Sequence, residues 1–203
     1  EEGNYVWREL KDSKKDDWVA LQMDTFLGAR VRFEKFEKIL HFNAKTCNLP
    51  SEMNVELAEL IGYFIGDGCF HKGKLMLAIP HDSLEIKDCF DNYIKEIFNI
   101  GSRFEQKPHD KSINLIYHSQ MLVEWLKSIG VDKKDALHAF VPAVILKGNR
   151  ECAEGFLRGL FEADGCINKQ GYHIALSSIS SHLVHQVQTL LLSLGIPSNI
   201  WIN

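Results

Sequence analysis

The 203-residue chain contains no apolar run near the ~18 residues that a membrane helix needs, which argues against a membrane partner. Glu1-Glu2-Gly3-Asn4 lacks the basic and apolar stretches of a signal peptide. Proline is scarce, at five residues, and no collagen-like or low-complexity tract occurs. The five cysteines (Cys47, Cys69, Cys89, Cys152, Cys166) form no C-x-x-C pair and are odd in number. They read as reduced thiols in a cytoplasmic setting, mostly small core residues, rather than as a disulfide or zinc framework. There is no excess of basic charge either, with 23 Lys+Arg against 27 Asp+Glu. Net charge is an average, however, and a basic face can coexist with acidic ones, so composition leaves the partner open. The motifs of P-loop nucleotide hydrolases, zinc proteases and serine hydrolases are absent.

What the sequence does hold is an internal repeat. With Asp67 placed over Asp164, an offset of 97, Gly62 falls on Gly159, Gly66 on Ala163, and Asp67-Gly68-Cys69 on Asp164-Gly165-Cys166. Lys72 then falls on Lys169, and Leu77-Ala78-Ile79 on Ile174-Ala175-Leu176, without a gap. This period is too long for a solenoid and fits two similar units in tandem.

In the first unit, Asn54 is a good N-cap for a helix over 54–67, with apolar groups at Leu57, Leu60, Ile61, Phe64 and Ile65 and a stop at Gly68. Residues 74–80 read as a strand, and Asp82 as the cap of a helix over 84–98. Strands over 102–107 and 112–118 and a helix over 120–129 follow. The second unit repeats a helix (151–164), a strand (171–177) and a helix (180–194), then has one short strand at 199–202. Two strands and a helix of the first unit have no counterpart, so the second unit is expected to be truncated. Outside the repeat, 6–7 and 18–21 read as strands, 33–42 as a helix and 46–52 as a linker. The expected division is 1–53, 54–150 and 151–203.

Asp67 and Asp164 each occupy the last turn of a helix, where the macrodipole is negative and a carboxylate costs about 0.3–1 kcal/mol. The same residue at the same register in both copies implies a compensating cation. Small residues four apart (Gly62 and Gly66; Gly155, Gly159 and Ala163) form grooves through which two helix backbones can approach. Either the helices pack together and bring the aspartates side by side, or the glycines and aspartates merely mark helix ends. Paired carboxylates would repel unless they shared protons or a divalent ion such as Mg²⁺.

Leu60-Ile61-Gly62-Tyr63-Phe64-Ile65-Gly66-Asp67-Gly68 and Leu157-Arg158-Gly159-Leu160-Phe161-Glu162-Ala163-Asp164-Gly165 resemble the two LAGLIDADG (dodecapeptide) motifs of homing endonucleases. Their surroundings look most like the endonuclease domain of an intein. Trp7-Arg8-Glu9-Leu10 and Lys15-Asp16-Asp17-Trp18-Val19-Ala20-Leu21 are similar to the strand pair of an intein splicing domain. The resemblance implies an α+β fold of tandem pseudo-twofold αββαββα-like units around two packed motif helices, a monomeric pseudo-dimer. It implies Asp67 and Asp164 as catalytic metal ligands, with the Gly66 and Ala163 carbonyls assisting, Mg²⁺ as cofactor, and double-stranded DNA as the target. On this reading the chain is part of an intein embedded in a host protein, and it breaks both strands of the intein-less host gene. Lys72, Lys74, Arg103, Lys107, Lys111 and Lys169 would line the DNA face, although each alone also reads as a solvated surface side chain.

Two departures from the family pattern stand out. Intein endonucleases carry lysine-x-(valine or isoleucine)-proline between the motifs, and here Ala139-Phe140-Val141-Pro142 puts alanine at the lysine position. Ala139 is expected to face the scissile phosphate along the open DNA groove and to weaken one half-site. The splicing nucleophile and the terminal His-Asn pair are also not in this chain, which begins at Glu1 and ends Ile202-Asn203. A cleavage-deficient DNA-binding domain, or a structural domain within an intein, is the alternative.

Overall fold

The computed structural model describes residues 6–37, 46–106, 111–168 and 173–202. Its α-helices are α1 (Val55–Asp67), α2 (Leu84–Phe98), α3 (Gln120–Ser128), α4 (Ala143–Leu146), α5 (Arg150–Asp164) and α6 (Ser181–Ser193). The strands are β1 (Gly68–His71), β2 (Lys74–Pro80), β3 (Arg103–Gln106), β4 (Ser112–His118), β5 (Gly165–Asn168) and β6 (His173–Leu176). In the first unit the strands form an antiparallel sheet of order β1-β2-β4-β3, and in the second β5 and β6 form an antiparallel pair.

The alternation of β2 and β4 decides where the core sits. Leu75, Leu77, Ile79, Leu115 and Tyr117 point to one face and are buried against α1, α2 and α3. Cross-strand pairing puts Cys69, Met76, Ile116 and Arg103 in one row of the opposite face. His71, Lys74 and His118 form a second row there. The same core continues through Phe156 and Leu160 of α5 and Leu183, Val187 and Leu190 of α6.

Helix starts follow the expected chemistry. The Asn54 side chain accepts from the Leu57 amide at 2.9 Å, and Asn149 accepts from the Cys152 amide at 3.1 Å. The cap of α2 is Ser83 rather than Asp82, and its side chain makes no cap hydrogen bond. Gly68 does end α1, yet with φ −107° it takes no left-handed stop conformation and instead begins β1. A Cβ there would run into the Phe64 ring and backbone, so close approach is the reason for glycine. β1 and β5, each starting directly at a helix end, went unread in the sequence.

The strand pairing corrects the ungapped repeat. Gly68 pairs with Leu77, but Gly165 pairs with Leu176. Leu176 is therefore the equivalent of Leu77, and the second hairpin carries two more residues in its turn. The first turn is Lys72-Gly73, with φ values of 47° and 72°, the positive pair that a two-residue hairpin of type I′ requires.

The expected strands at 6–7, 18–21 and 199–202 do not form: these residues pair with no strand, and Trp7, Trp18 and Trp201 are exposed. The expected helix over 33–42 is absent over 33–37, the rest lying outside the described residues. The 46–52 linker instead joins a bridge between Arg32 and Glu52. Phe26, Val31, Phe33 and Leu49 pack on the core of the repeat units, and Arg150 holds Asp24 at 2.6 Å. The cysteines also depart from the core expectation, since Cys152 is buried but Cys69 and Cys166 are exposed.

Candidate active site

α1 and α5 pack directly against each other in the same direction, so their C-terminal ends lie together. A Cβ on Gly62 would overlap the Phe156 carbonyl, and one on Gly159 the Glu59 carbonyl. At Gly155 it would come within 2.9 Å of the Val55 carbonyl. The grooves of small residues are thus the contact surface itself. Arg158 reaches across to Glu59 at 3.1 Å on the rim.

At the far end of this seam Gly66 meets the Ala163 side chain, and a Cβ on Gly66 would stand 3.2 Å from Asp164 Oδ2. Asp164 therefore lies beside the residue that precedes Asp67. Both aspartates are half-buried. Burial holds each carboxyl above the ordinary carboxylate range, and in Asp67 the charge of Asp164 adds to the rise.

The third member is Lys133. Its Nζ donates to the carbonyl oxygens of Ile65 at 2.7 Å and Gly66 at 2.8 Å, and lies 5.8 Å from the centroid of the Phe64 ring. These carbonyls belong to the last turn of α1, where the helix itself supplies no donor. Burial lowers the Lys133 pKa, while the charges of Asp164 and Asp67 oppose that shift. Lys133 thus places one positive charge of the chain itself beside the two helix ends. Gly130, at φ 83°, ends α3, and Val131 then tucks into the core and delivers Lys133 beneath α1. Lys133 is not among the candidates drawn from the sequence, because 67 residues separate it from Gly66.

Ala139 lies elsewhere. It is buried at 3% exposure in the core, and its carbonyl accepts from the Ser180 hydroxyl at 2.7 Å. The nearby Val141 amide donates to Gln186 of α6. The expectation that Ala139 lines an open groove is corrected: this segment is clamped beneath α6.

Among the described residues no three His, Cys, Asp or Glu side chains gather into a metal site. The donor set at the helix ends is two carboxylates with the Gly66 and Ala163 carbonyls. Such hard oxygens fit Mg²⁺, which binds through one or two carboxylates and keeps several waters.

Of the basic candidates, Lys74 and Arg103 share the face of the sheet opposite the helices. Lys72 is exposed at the β1–β2 turn, and Lys111 is exposed just before β4, beside His81, Asp82 and Gln106. Lys107 and Lys169 lie outside the described residues. Glu105 stands on the same face as Lys74 and Arg103, so that face is mixed in charge.

This architecture is the α+β fold of the LAGLIDADG homing endonucleases. Residues 151–203 match the model of the LAGLIDADG-like domain family. Over the fold, the chain resembles I-DmoI in complex with DNA and Mn, with a TM-score of 0.54 and 21% identity, covering 74% of this chain and 84% of that one. It also resembles the N-terminal LAGLIDADG domain of DUF199/WhiA, with a TM-score of 0.50 and 14% identity over 73% and 71% of the two chains. In sequence, it is 26% identical to part of the glutamine–fructose-6-phosphate aminotransferase of Methanocaldococcus jannaschii, over 82% of this chain and 15% of that protein. It is 29% identical to part of the ATP-dependent DNA helicase Hel308 of Thermococcus kodakarensis, over 79% and 15%. The match to the replication factor C small subunit of Methanocaldococcus jannaschii is 29% over 72% and 8%. The chain thus spans less than a fifth of the length of these relatives.

Proposed function

We propose that this chain is the DNA-cleaving part of an intein-borne homing endonuclease, hydrolysing phosphodiesters in both strands of an intein-less host gene. The observation that carries the reading is the placement of Asp67 and Asp164 together at the C-terminal ends of two helices packed through glycine grooves. Carboxylates at that position lie against the macrodipole, and the single charge of Lys133 does not balance two of them, so a bound cation would offset the remainder. The intein setting is supported by the relatives: an aminotransferase, a DNA helicase and a replication factor C subunit carry different names, yet each matches this chain over a short part of its length. A mobile insert accounts for such a distribution. It would act in the cytoplasm, on nucleoid DNA, as a monomeric pseudo-dimer.

Asp67 and Asp164 would hold Mg²⁺, with the Gly66 and Ala163 carbonyls as further oxygens. When bound, the ion supplies charge to stabilise the in-line displacement at phosphorus. The chain's own contribution is positional. The helix seam sets the spacing of the two carboxylates, and the open face with Lys74 and Arg103 would seat the duplex by its phosphates. Lys133, beside both carboxylates, would place a positive charge near the phosphate as negative charge develops.

A second reading, a cleavage-deficient DNA-binding or structural domain, is favoured by one observation: the position of the family's lysine is a buried alanine. Incubation of the chain with a supercoiled plasmid carrying the intein-less host site, with Mg²⁺ and with EDTA, separates the two. Linear product with Mg²⁺, lost in Asp67→Asn and Asp164→Asn while gel-shift binding survives, supports the endonuclease. Binding without cleavage supports the second reading, and neither supports a structural role.

A further inference from the structure

The metal-binding reading above carries a consequence that depends on Lys133. We propose that Lys133 is a built-in competitor for divalent metal, its ammonium occupying the Gly66 carbonyl, so that metal entry on the Asp67 side favours the departure of Lys133.

The geometry is specific. Lys133 Nζ bonds two successive carbonyls, Ile65 and Gly66, at 2.7 and 2.8 Å. The Gly66 carbonyl is the same oxygen that would assist Asp67 in holding Mg²⁺. The oxygen has two lone pairs, but an ammonium group and a divalent ion on it would stand within a few ångströms of each other and repel, so each weakens the other's hold. At 4 Å the repulsion between even two unit charges amounts to a large factor in binding at the effective dielectric of a protein surface. Lys133 is also half-buried and stacked near Phe64, so its position is defined by packing as well as charge.

Lys133 therefore has two effects of opposite sign. Without metal it satisfies orphan helix carbonyls and offsets the two carboxylates, stabilising the seam where α1 meets α5. Metal favours its withdrawal, and its flexible stem permits this. The arrangement makes the two halves unequal on the Gly66 side and links occupancy of the site to a single side chain.

The test uses Mn²⁺ alone as the probe, with calorimetric titration and thermal melting of the whole chain and no activity readout. Lys133→Gln retains an amide donor on a shorter stem but not the charge, and Lys133→Met removes both. Lys133→Gln is expected to bind Mn²⁺ about tenfold or more tightly than the wild type. Lys133→Met is expected to melt lower than the wild type in EDTA and to recover when Mn²⁺ is added, by linkage. Equal or weaker Mn²⁺ binding by a folded Lys133→Gln overturns the inference while leaving the metal site standing. Absence of Mn²⁺ binding in all three proteins overturns it together with the metal reading. Asp67→Asn distinguishes these cases, since it should abolish the tight binding of a Lys133→Gln,Asp67→Asn double variant.

Discussion

Gly62 lies against the backbone of Phe156 so closely that no side chain fits between α1 and α5, and the Leu160 amide would be 2.8 Å from any added Cβ. Because the obstructing atoms are backbone, the helices themselves must separate to admit a methyl group. Gly62→Ala and Gly159→Ala should each cost about 3 kcal/mol, at the upper end of overpacking effects, as read by urea unfolding. Gly101, where nothing lies within 4 Å, should accept alanine with little change.

The raised carboxyl pKa values of Asp67 and Asp164 carry a sign for pH dependence. A folded pKa above the unfolded one means that the fold prefers the protonated form. That contribution is complete below the ordinary value of 3.8 and is lost as pH rises through the raised one. In EDTA, Asp67→Asn should therefore gain melting temperature relative to the wild type as pH rises from about 3.5 toward 7. A gap that shrinks over that range would contradict the assignment.

Ala139 is enclosed by the core and tied by its carbonyl to Ser180. Ala139→Lys, which the family pattern would suggest as a repair, is expected instead to destabilise the fold. Overpacking together with a buried charge should cost about 3 kcal/mol or more. Lys134→Ala, at a nearby exposed position, should stay within about 0.5 kcal/mol. Chemical denaturation of both variants checks the contrast.

Lys74 and Arg103 share the open sheet face, and each phosphate contact contributes about 0.9 to the slope of log affinity against log salt. Alanine at either position should flatten that slope by about 1 for duplex DNA. Lys95→Ala, an exposed change on α2, should leave it unaltered. Fluorescence anisotropy over a salt series measures all three.

The local features of this protein were legible in its sequence. Apolar spacing and the cap Asn54 define the first motif helix from neighbouring residues alone, and the repeat of Asp67 at Asp164 revealed tandem units. The small-residue grooves even pointed to the seam between α1 and α5, because a helix stripe without side chains has a narrow set of uses. Tertiary structure decided the rest. The two-residue shift in the second hairpin depends on cross-strand pairing, which a sparse ungapped match does not register. The stretches at 6–7 and 18–21 have strand composition yet no partner strand, and a strand requires both. Ala139 and Lys133 stand six residues apart, but one is clamped beneath α6 while the other is carried under the end of α1 by the turn after α3. No periodicity encodes that difference. It arises because Val131 and Ala139 are both drawn into the core, leaving the segment between them looped across the paired carboxylates.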